Sequence, residues 1–273
     1  MAFKIGFRAE NEQCGNAAVG DGQTSTAAQA NVKKSVVDVL FTDRHLTCSY
    51  YNDMFDLKRG DIVYVEGKLE GLRGRVVNIN YTFKIKLSDY KRVIGVADTD
   101  VKGEFHPAGS HFITTDSSAL NFEQIITWFK APSDDEEEFA FGEGDEVFNL
   151  ANISDMVIDK ATADRGYDYF INNNVVYIEL NHGKGRAIVI GSKPYEVEFN
   201  FHNGDISGLV CNCYCTGTCK HEFATMLQLK ETLDLIAETY HFADSDDYLA
   251  IINKAIFFEY AVDSKTKGMF TLG

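Results

Sequence analysis

The chain has 273 residues, 45% of them hydrophobic and 25% charged, a composition that excludes disordered and fibrous proteins and fits one large or two small domains. The formal net charge of −15 comes entirely from residues 131–273, which carry 10 basic and 25 acidic side chains, because residues 1–130 carry 16 of each. No run approaches the roughly 18 apolar residues of a membrane span, and the first residues lack the apolar core of a signal peptide, so we expect a cytoplasmic protein.

The first half of the chain is predicted to contain an arm followed by a β-rich domain. Residues 1–35 are predicted to form a flexible arm, because residues 10–35 are small and polar and follow neither a helical nor a strand period. Residues 36–130 are predicted to form a domain of short strands and glycine-marked turns, which is typical of a small β-barrel. A helix over 121–130 follows the strands, with Asn121 as its predicted N-cap and Trp128 as a predicted core residue.

Between residues 60 and 79 the strand pattern contains a Gly-Asp pair, alternating valines and spaced glycines. The residues that carry this pattern are Gly60, Asp61, Val63, Val65, Gly67, Gly71, Gly74 and Val76. The run resembles the KOW motif, and this resemblance implies a KOW-like small barrel over about residues 36–98 that binds RNA or protein. The pattern is degenerate, so any other small barrel with a glycine turn would also fit it.

Basic side chains near this run are candidate contacts to nucleic acid, because together they could follow a phosphate backbone. The alternative is a solvated barrel face, since Glu66, Glu70 and Asp89 dilute the positive charge. The candidate residues are Arg73, Arg75, Lys84 and Lys86.

An acidic run divides the chain near its middle. Residues 131–146 are predicted to form a linker between two domains, because they carry consecutive Asp and Glu residues with little periodicity. Such a run is typical of a solvated spacer, although Phe139 and Phe141 would also suit a docking peptide. The second domain is therefore predicted over residues 147–273.

The strongest chemical signal is a cluster of thiols in the second half. Cys211, Cys213, Cys215 and Cys219 fall within nine residues, and without a secretory signal such clustering favours a metal over disulfides. The spacing C-x-C-x5-C-x-H supplies Cys211, Cys213, Cys219 and His221, a set of four ligands that suits a structural zinc site and leaves no position open for catalysis. An alternative set replaces Cys211 by Cys215 at the cost of a more crowded loop; free buried thiols without metal are the remaining alternative.

The surroundings of the cluster resemble a SWIM zinc finger, in which short strands precede C-x-C and a helix opens at C-x-H. The resemblance covers about residues 165–240 and implies a structural zinc and recognition of nucleic acid or protein, often beside SWI/SNF-type helicases or transposases. Gly217 is predicted to let the loop fold back so that both ligand pairs converge. The elements predicted here are strands at 175–180, 186–191, 195–201 and 206–210 and a helix at 222–231.

These patterns together predict an α+β protein with an N-terminal barrel, an acidic linker and a C-terminal unit of strands and helices around one structural Zn²⁺. A further helix over 246–260 is predicted to pack on the zinc unit. We expect a non-enzymatic adaptor, with a protein partner for the acidic zinc half and any nucleic acid at the barrel half. The alternatives are an accessory fragment or subunit of a helicase or transposase system, and an enzyme with an unrecognised carboxylate site.

Overall fold

The computed structural model describes residues 3–6, 32–115, 119–131, 147–213, 215–239, 248–262 and 269–272. Over these residues the protein is a mixed α+β structure with two mostly antiparallel sheets and few helices, as the sequence predicts. None of the helices in this part of the chain combines the length and apolarity needed to cross a lipid bilayer.

The elements are numbered in chain order within the described residues. The strands are β1 Phe3–Gly6, β2 Ser35–Phe41, β3 Leu46–Asn52, β4 Ile62–Val65, β5 Gly74–Asn80, β6 Val93–Val96, β7 Glu104–Ala108, β8 Phe112–Thr115, β9 Phe148–Asn149, β10 Val175–Asn181, β11 Lys184–Ile190, β12 Pro194–His202, β13 Asp205–Cys211, β14 Tyr248–Asn253 and β15 Met269–Leu272. The α-helices are α1 Phe122–Ile126, α2 Lys160–Ile171, α3 Lys220–Thr239 and α4 Lys254–Phe257.

The smaller sheet has five strands in the order β3-β2-β5-β4-β6, which confirms short strands in the part of the chain from residue 36 to 80 and at the predicted strand ending near residue 97. Its two edge strands meet where Tyr51 forms a bridge with Arg92 and the Tyr51 amide donates to the Lys91 carbonyl at 2.9 Å. The predicted glycine turn is also present. Gly71 takes a φ of +78°, and a Cβ on Gly74 would lie 2.2 Å from Val39 Cγ1, so β2 approaches β5 too closely there for a side chain.

Strand β4 is buried on both faces and joins the two sheets. Val63 and Val65 face the core of the five-stranded sheet, whereas Ile62 belongs to the core of the larger sheet, as the alternation of a strand requires. Tyr64 lies between these two valines in the chain. Its hydroxyl donates to the carbonyl of Thr127, just after α1, at 3.0 Å. The smaller sheet is therefore fixed to the rest of the protein by apolar packing and by a hydrogen bond.

The larger sheet has ten strands in the order β1-β15-β7-β8-β14-β10-β11-β12-β13-β9. Strands β10 to β13 form consecutive antiparallel hairpins, which confirms the strands predicted from residue 175 to 210. The tight turns are made by positive-φ pairs, His182-Gly183 and Asn203-Gly204. This meander carries the chain to Cys211 at the end of β13.

The helix predicted over 246–260 is wrong for its first half, because Tyr248–Asn253 forms strand β14 between β10 and β8. Ala250, Ile251 and Ile252 are all buried there, so successive residues face apolar surroundings on both sides of the sheet. Consecutive apolar residues also fit the spacing of a buried helix, and for this reason the sequence predicted a helix here. The helix begins only at Lys254, after the Asn253 side chain accepts from the Ala255 amide.

Along the chain the smaller sheet ends at Val96, and the larger sheet, which also contains β1, continues from Glu104. Strands β7 and β8 lie before the predicted linker, yet β8 pairs with β14 far beyond it, with Thr115 opposite Ala250. Most of the predicted linker, residues 132–146, lies outside the described residues, as do residues 7–31 of the predicted arm; residues 3–6 of that arm form β1.

The predicted N-cap and core tryptophan are both confirmed. The Asn121 side chain accepts from the Gln124 amide at 2.9 Å, and α1 begins at the next residue. The Trp128 side chain is fully buried, stacks on Tyr260 and donates its indole N–H to the Asp98 carbonyl. This segment therefore anchors the chain that leaves the smaller sheet onto the core of the larger one.

Candidate metal centre

The centre lies where β13 ends and α3 begins. Asn212, between the first two cysteines, is held against β12 by three hydrogen bonds to Glu196. Its amide donates to the Glu196 carbonyl at 3.1 Å, its side-chain oxygen accepts from the Glu196 amide at 3.0 Å, and its side-chain nitrogen donates to the Glu196 carboxylate at 3.2 Å. Cys211 and Cys213 are thus positioned by the hairpin.

The side chains of Cys211, Cys213, Cys219 and His221 converge, with their four ligand atoms within 4.8 Å of one another. His221 Nδ1 lies 3.6 Å from Cys211 Sγ and 3.8 Å from Cys219 Sγ. With Zn–S bonds of about 2.3 Å and Zn–N bonds of about 2.0–2.1 Å, tetrahedral geometry places sulfur and nitrogen ligands about 3.6 Å apart. The observed separations therefore fit a tetrahedral zinc ion.

Cys219 is also the N-cap of α3, which begins at Lys220. Its amide donates to Glu222 Oε2 at 2.7 Å, while the Glu222 amide points back to Cys219 Sγ at 3.4 Å. This reciprocal pair has the form of a capping box in which a thiol replaces the usual hydroxyl. The helix terminus therefore orients Cys219 at the start of α3.

The His221 imidazole is held between two tyrosine rings. It stacks on Tyr195 with centroids 4.0 Å apart and meets the edge of Tyr169 at 5.3 Å. A Cβ on Gly191 would lie 2.9 Å from the Tyr169 hydroxyl and 3.0 Å from the Tyr195 ring, so that glycine leaves room for both. This packing fixes the ring plane with Nδ1 towards the thiols; His221 Nε2 is buried and has no hydrogen-bond partner among the described residues.

Burial controls the protonation of the centre in its metal-free form. Burial raises the pKa of Cys213 to about 12, and the interaction with Cys211 together with burial raises the pKa of Cys219. Burial lowers the pKa of His221 to about 4, so its imidazole is neutral at neutral pH and able to donate an electron pair. Binding of a metal ion would displace the protons of these thiols.

The alternative ligand set with Cys215 does not match the geometry. Cys215 is exposed and stands outside the group of four converging ligand atoms, whereas Cys211 is buried within it. The expected role of Gly217 is wrong: its φ is not positive and a Cβ there would meet no atom within 4 Å. The loop folds back because the hairpin and the capped helix fix its two ends.

The candidate nucleic-acid contacts lie on the smaller sheet and near β6. Arg73, in the β4–β5 turn, is exposed and its guanidinium lies 5.0 Å from the centre of the Tyr260 ring. Arg75 is half-buried on β5 opposite Ile62. Lys84 and Lys86 are exposed in the segment before β6, and Lys86 Nζ lies 3.9 Å from an Asp89 oxygen.

Sequence reasoning missed the residues that support the ligands. Glu222 has a local signal, because an acid three residues after an N-cap is the capping-box spacing. Tyr195 and Tyr169 have none, since they reach His221 only through the packing of β12 and α2 against α3. A cavity of about 270 Å³ between the β7–β8 turn, the end of α2 and the second half of α3 contains none of the four ligands.

Comparison with known proteins gives no match to a protein family, to a characterised protein or to a solved structure. The Cys₃His cluster at the β13–α3 junction is therefore the feature from which a function can be argued.

Proposed function

We propose that this protein is a non-enzymatic adaptor whose Cys₃His centre binds one structural Zn²⁺. The observation that carries the proposal is the convergence of four ligand atoms, from Cys211, Cys213, Cys219 and His221, within 4.8 Å. Four protein ligands complete a tetrahedral zinc shell, so no position remains for a substrate or a catalytic water. The zinc would tie β13 to α3, and its binding energy would contribute to folding.

We also propose that this unit is related to SWIM zinc fingers. Strands precede the C-x-C pair, and the C-x-H pair opens helix α3, which is the order of elements in that family.

The ligand assignment is tested by paired serine substitutions in the full chain. Cys211→Ser should abolish stoichiometric zinc binding, because it removes a buried ligand, whereas Cys215→Ser should leave one zinc per chain. Zinc content of both variants by elemental analysis after purification in reducing buffer provides the readout. If Cys215→Ser loses the metal and Cys211→Ser keeps it, the ligand set is wrong.

A protein partner is proposed for the zinc-containing half, because residues 131–273 hold the whole negative excess and would repel a phosphate backbone. Any nucleic acid is proposed to contact the smaller sheet. Beside that sheet, together with Arg73 and Lys84, lies Tyr81, a residue that is 43% exposed and whose ring centre is 4.4 Å from Lys33 Nζ. Exposed aromatic and basic side chains that lie close together are suited to binding single-stranded nucleic acid.

This placement is tested by titrating the full protein with single- and double-stranded oligonucleotides at two salt concentrations. With three or four phosphates contacted, affinity should fall about 10²-fold or less between low and moderate salt. Reversing the charges of Lys84 and Lys86 to Glu should weaken binding, whereas Lys160→Glu on α2 should not. If Lys160→Glu weakens oligonucleotide binding as much as the change at Lys84 and Lys86, binding at the smaller sheet is refuted. If the protein binds no oligonucleotide at low salt, protein recognition remains as the proposed function.

A further inference from the structure

The cavity of about 270 Å³ between the β7–β8 turn, the end of α2 and the second half of α3 is lined on its α3 side by polar side chains. Gln228, Glu231 and Thr232 are three and four positions apart, so they lie on one face of the helix. Gln228 is only 2% exposed and Thr232 only 3%. Buried polar groups need partners, so their position at a cavity points to a ligand.

The hydrogen bonds of Gln228 leave an acceptor for such a ligand. Its side-chain nitrogen donates to Glu231 Oε2 at 3.1 Å and to Thr232 Oγ1 at 3.4 Å. Its side-chain oxygen accepts no hydrogen bond from the residues that the structure describes. A carboxylate only accepts, so Glu231 fixes which end of the amide faces it. Glu231 itself is exposed. The α3 side of the cavity therefore offers oxygens that can accept from a ligand.

The charge at the cavity favours a cation. Among the described residues that line it, Glu231 is the acidic one and there is no Lys or Arg; His111 lies exposed at its edge. Helix α2 also ends here, with Phe170 and Ile171 in the wall, and the C-terminal end of a helix carries partial negative charge. An anionic ligand would be repelled by both features.

The other walls are apolar and held in place. Phe112, Phe170 and Leu235 supply the apolar surface. Gly109 in the β7–β8 turn has a φ of +64°, and a Cβ there would lie 3.2 Å from Leu235 Cδ1, so the turn lies close to α3. Lys254 Nζ donates to two carbonyls of the same turn at 3.0 and 3.1 Å, which ties the turn to the start of α4. The cavity is therefore preformed.

We propose that this cavity binds the side chain of a lysine from a protein partner. An ammonium group has three donors and no acceptor, which matches the oxygens of Gln228, Glu231 and Thr232. The apolar walls would enclose the alkyl stem. At about 270 Å³ the cavity lies below the roughly 300–1,000 Å³ of pockets for drug-sized ligands, a size that suits one side chain.

This inference rests on the proposed adaptor function and gives the chemistry of the partner. A basic partner surface complements residues 131–273, which hold the whole negative excess. Ile171 and Leu235, which line the cavity and are 52% and 36% exposed, would contact the residues beside the inserted lysine.

The test uses the full-length protein after its zinc content has been measured. The probes are a capped pentapeptide with one lysine between glycines, the same peptide with norleucine or Nε-acetyllysine instead, and 1,5-diaminopentane as a free amine. The lysine peptide should bind with a Kd of about 1 mM, which is ordinary for so small a ligand, and shift the NMR signal of the Gln228 side-chain amide. The two peptides without the charge should bind at least about tenfold more weakly. The diamine should also bind more weakly, because it cannot contact the exposed rim.

Variants locate the binding on α3. Glu231→Gln should weaken binding of the lysine peptide at least about tenfold, and its exposed position leaves the core intact. Asp234→Asn, exposed on the same helix but outside the cavity, is the matched control and should bind as the wild type. Gln228→Leu, which replaces the acceptor by an apolar side chain of similar size, should also weaken binding.

Each outcome has one meaning. Equal binding of the lysine and norleucine peptides, or unchanged binding by Glu231→Gln, would overturn the proposal. A diamine that binds as tightly as the lysine peptide would assign the cavity to a free amine and overturn the partner's lysine. A zinc-containing protein that does not bind the lysine peptide would refute the cavity site alone, whereas a protein that binds the peptide but holds no zinc would refute the metal centre alone.

Discussion

The carboxylate of Glu179 on β10 accepts a hydrogen bond from the backbone amide of Phe122, the first residue of α1, at 3.0 Å. Glu179 is only 1% exposed, and its oxygens also accept from the hydroxyls of Tyr177 and Tyr248 and from the guanidinium of Arg186. The carboxylate therefore ties the start of α1, through the Phe122 amide, to donors on the central strands β10, β11 and β14. Buried polar groups in folded proteins are normally hydrogen-bonded in this way, which is the behaviour of a group that stabilises the fold.

Glu179→Gln is expected to lower the free energy of unfolding by about 2–4 kcal/mol, because the amide cannot accept all the hydrogen bonds that the carboxylate receives and leaves Arg186 without its buried partner. Chemical denaturation of the zinc-loaded protein measures the effect. Glu198→Gln, on an exposed position of β12, is the matched control and should change stability little. Equal stability of the two variants would contradict the structural role of Glu179.

Gly74→Ala is expected to destabilise the smaller sheet by about 1–3 kcal/mol, because the new methyl group would overlap Val39 and force β2 away from β5. The added Cβ would lie 2.2 Å from Val39 Cγ1 and 2.9 Å from Phe41 Cε1. Gly217→Ala is the control, since its Cβ would meet open space. Thermal unfolding compares the two variants, and an unchanged melting temperature for Gly74→Ala would show that the two strands are not packed this closely.

Zinc affinity is expected to rise steeply with pH. In the metal-free protein burial raises the pKa of Cys213 to about 12, and the pKa of Cys219 is also raised, so both thiols are protonated at neutral pH. Binding must release at least these two protons, which predicts an affinity increase of about 10² per pH unit. His221, whose pKa is lowered to about 4, is already neutral and contributes no step above pH 5.

Calorimetric titrations with zinc in two buffers of different ionisation enthalpy count the protons released. At least two protons at pH 7 are expected. An affinity that is independent of pH, or one with its main step near the ordinary pKa of histidine, would contradict the protonation states assigned to the centre.

Local patterns were sufficient to predict the cluster of three cysteines and one histidine. The ligands occupy one hairpin end and one helix start, and strands β10–β13 and helix α3 follow directly from periodicity and turn residues. Asn121 as N-cap and Trp128 as a core residue were predictable for the same reason, because capping and large apolar side chains have local signatures.

Long-range pairing was not predictable in this way. Nothing near Tyr248–Asn253 indicates that β14 lies between β8 and β10, since a short apolar run fits a buried strand and a helix equally well. The association of β8 with β14, across the predicted linker, depends on residues more than 130 positions apart. The packing of Tyr195 on His221 likewise requires the finished sheet.

The zinc content of the native protein tests the central claim most directly. The full chain should be purified in reducing buffer without chelator and without added metal-binding tag, and its zinc measured by elemental analysis against protein concentration. The Cys₃His geometry at Cys211, Cys213, Cys219 and His221 predicts one zinc per chain. A value well below one, which zinc added in reducing buffer does not raise, would contradict the metal centre.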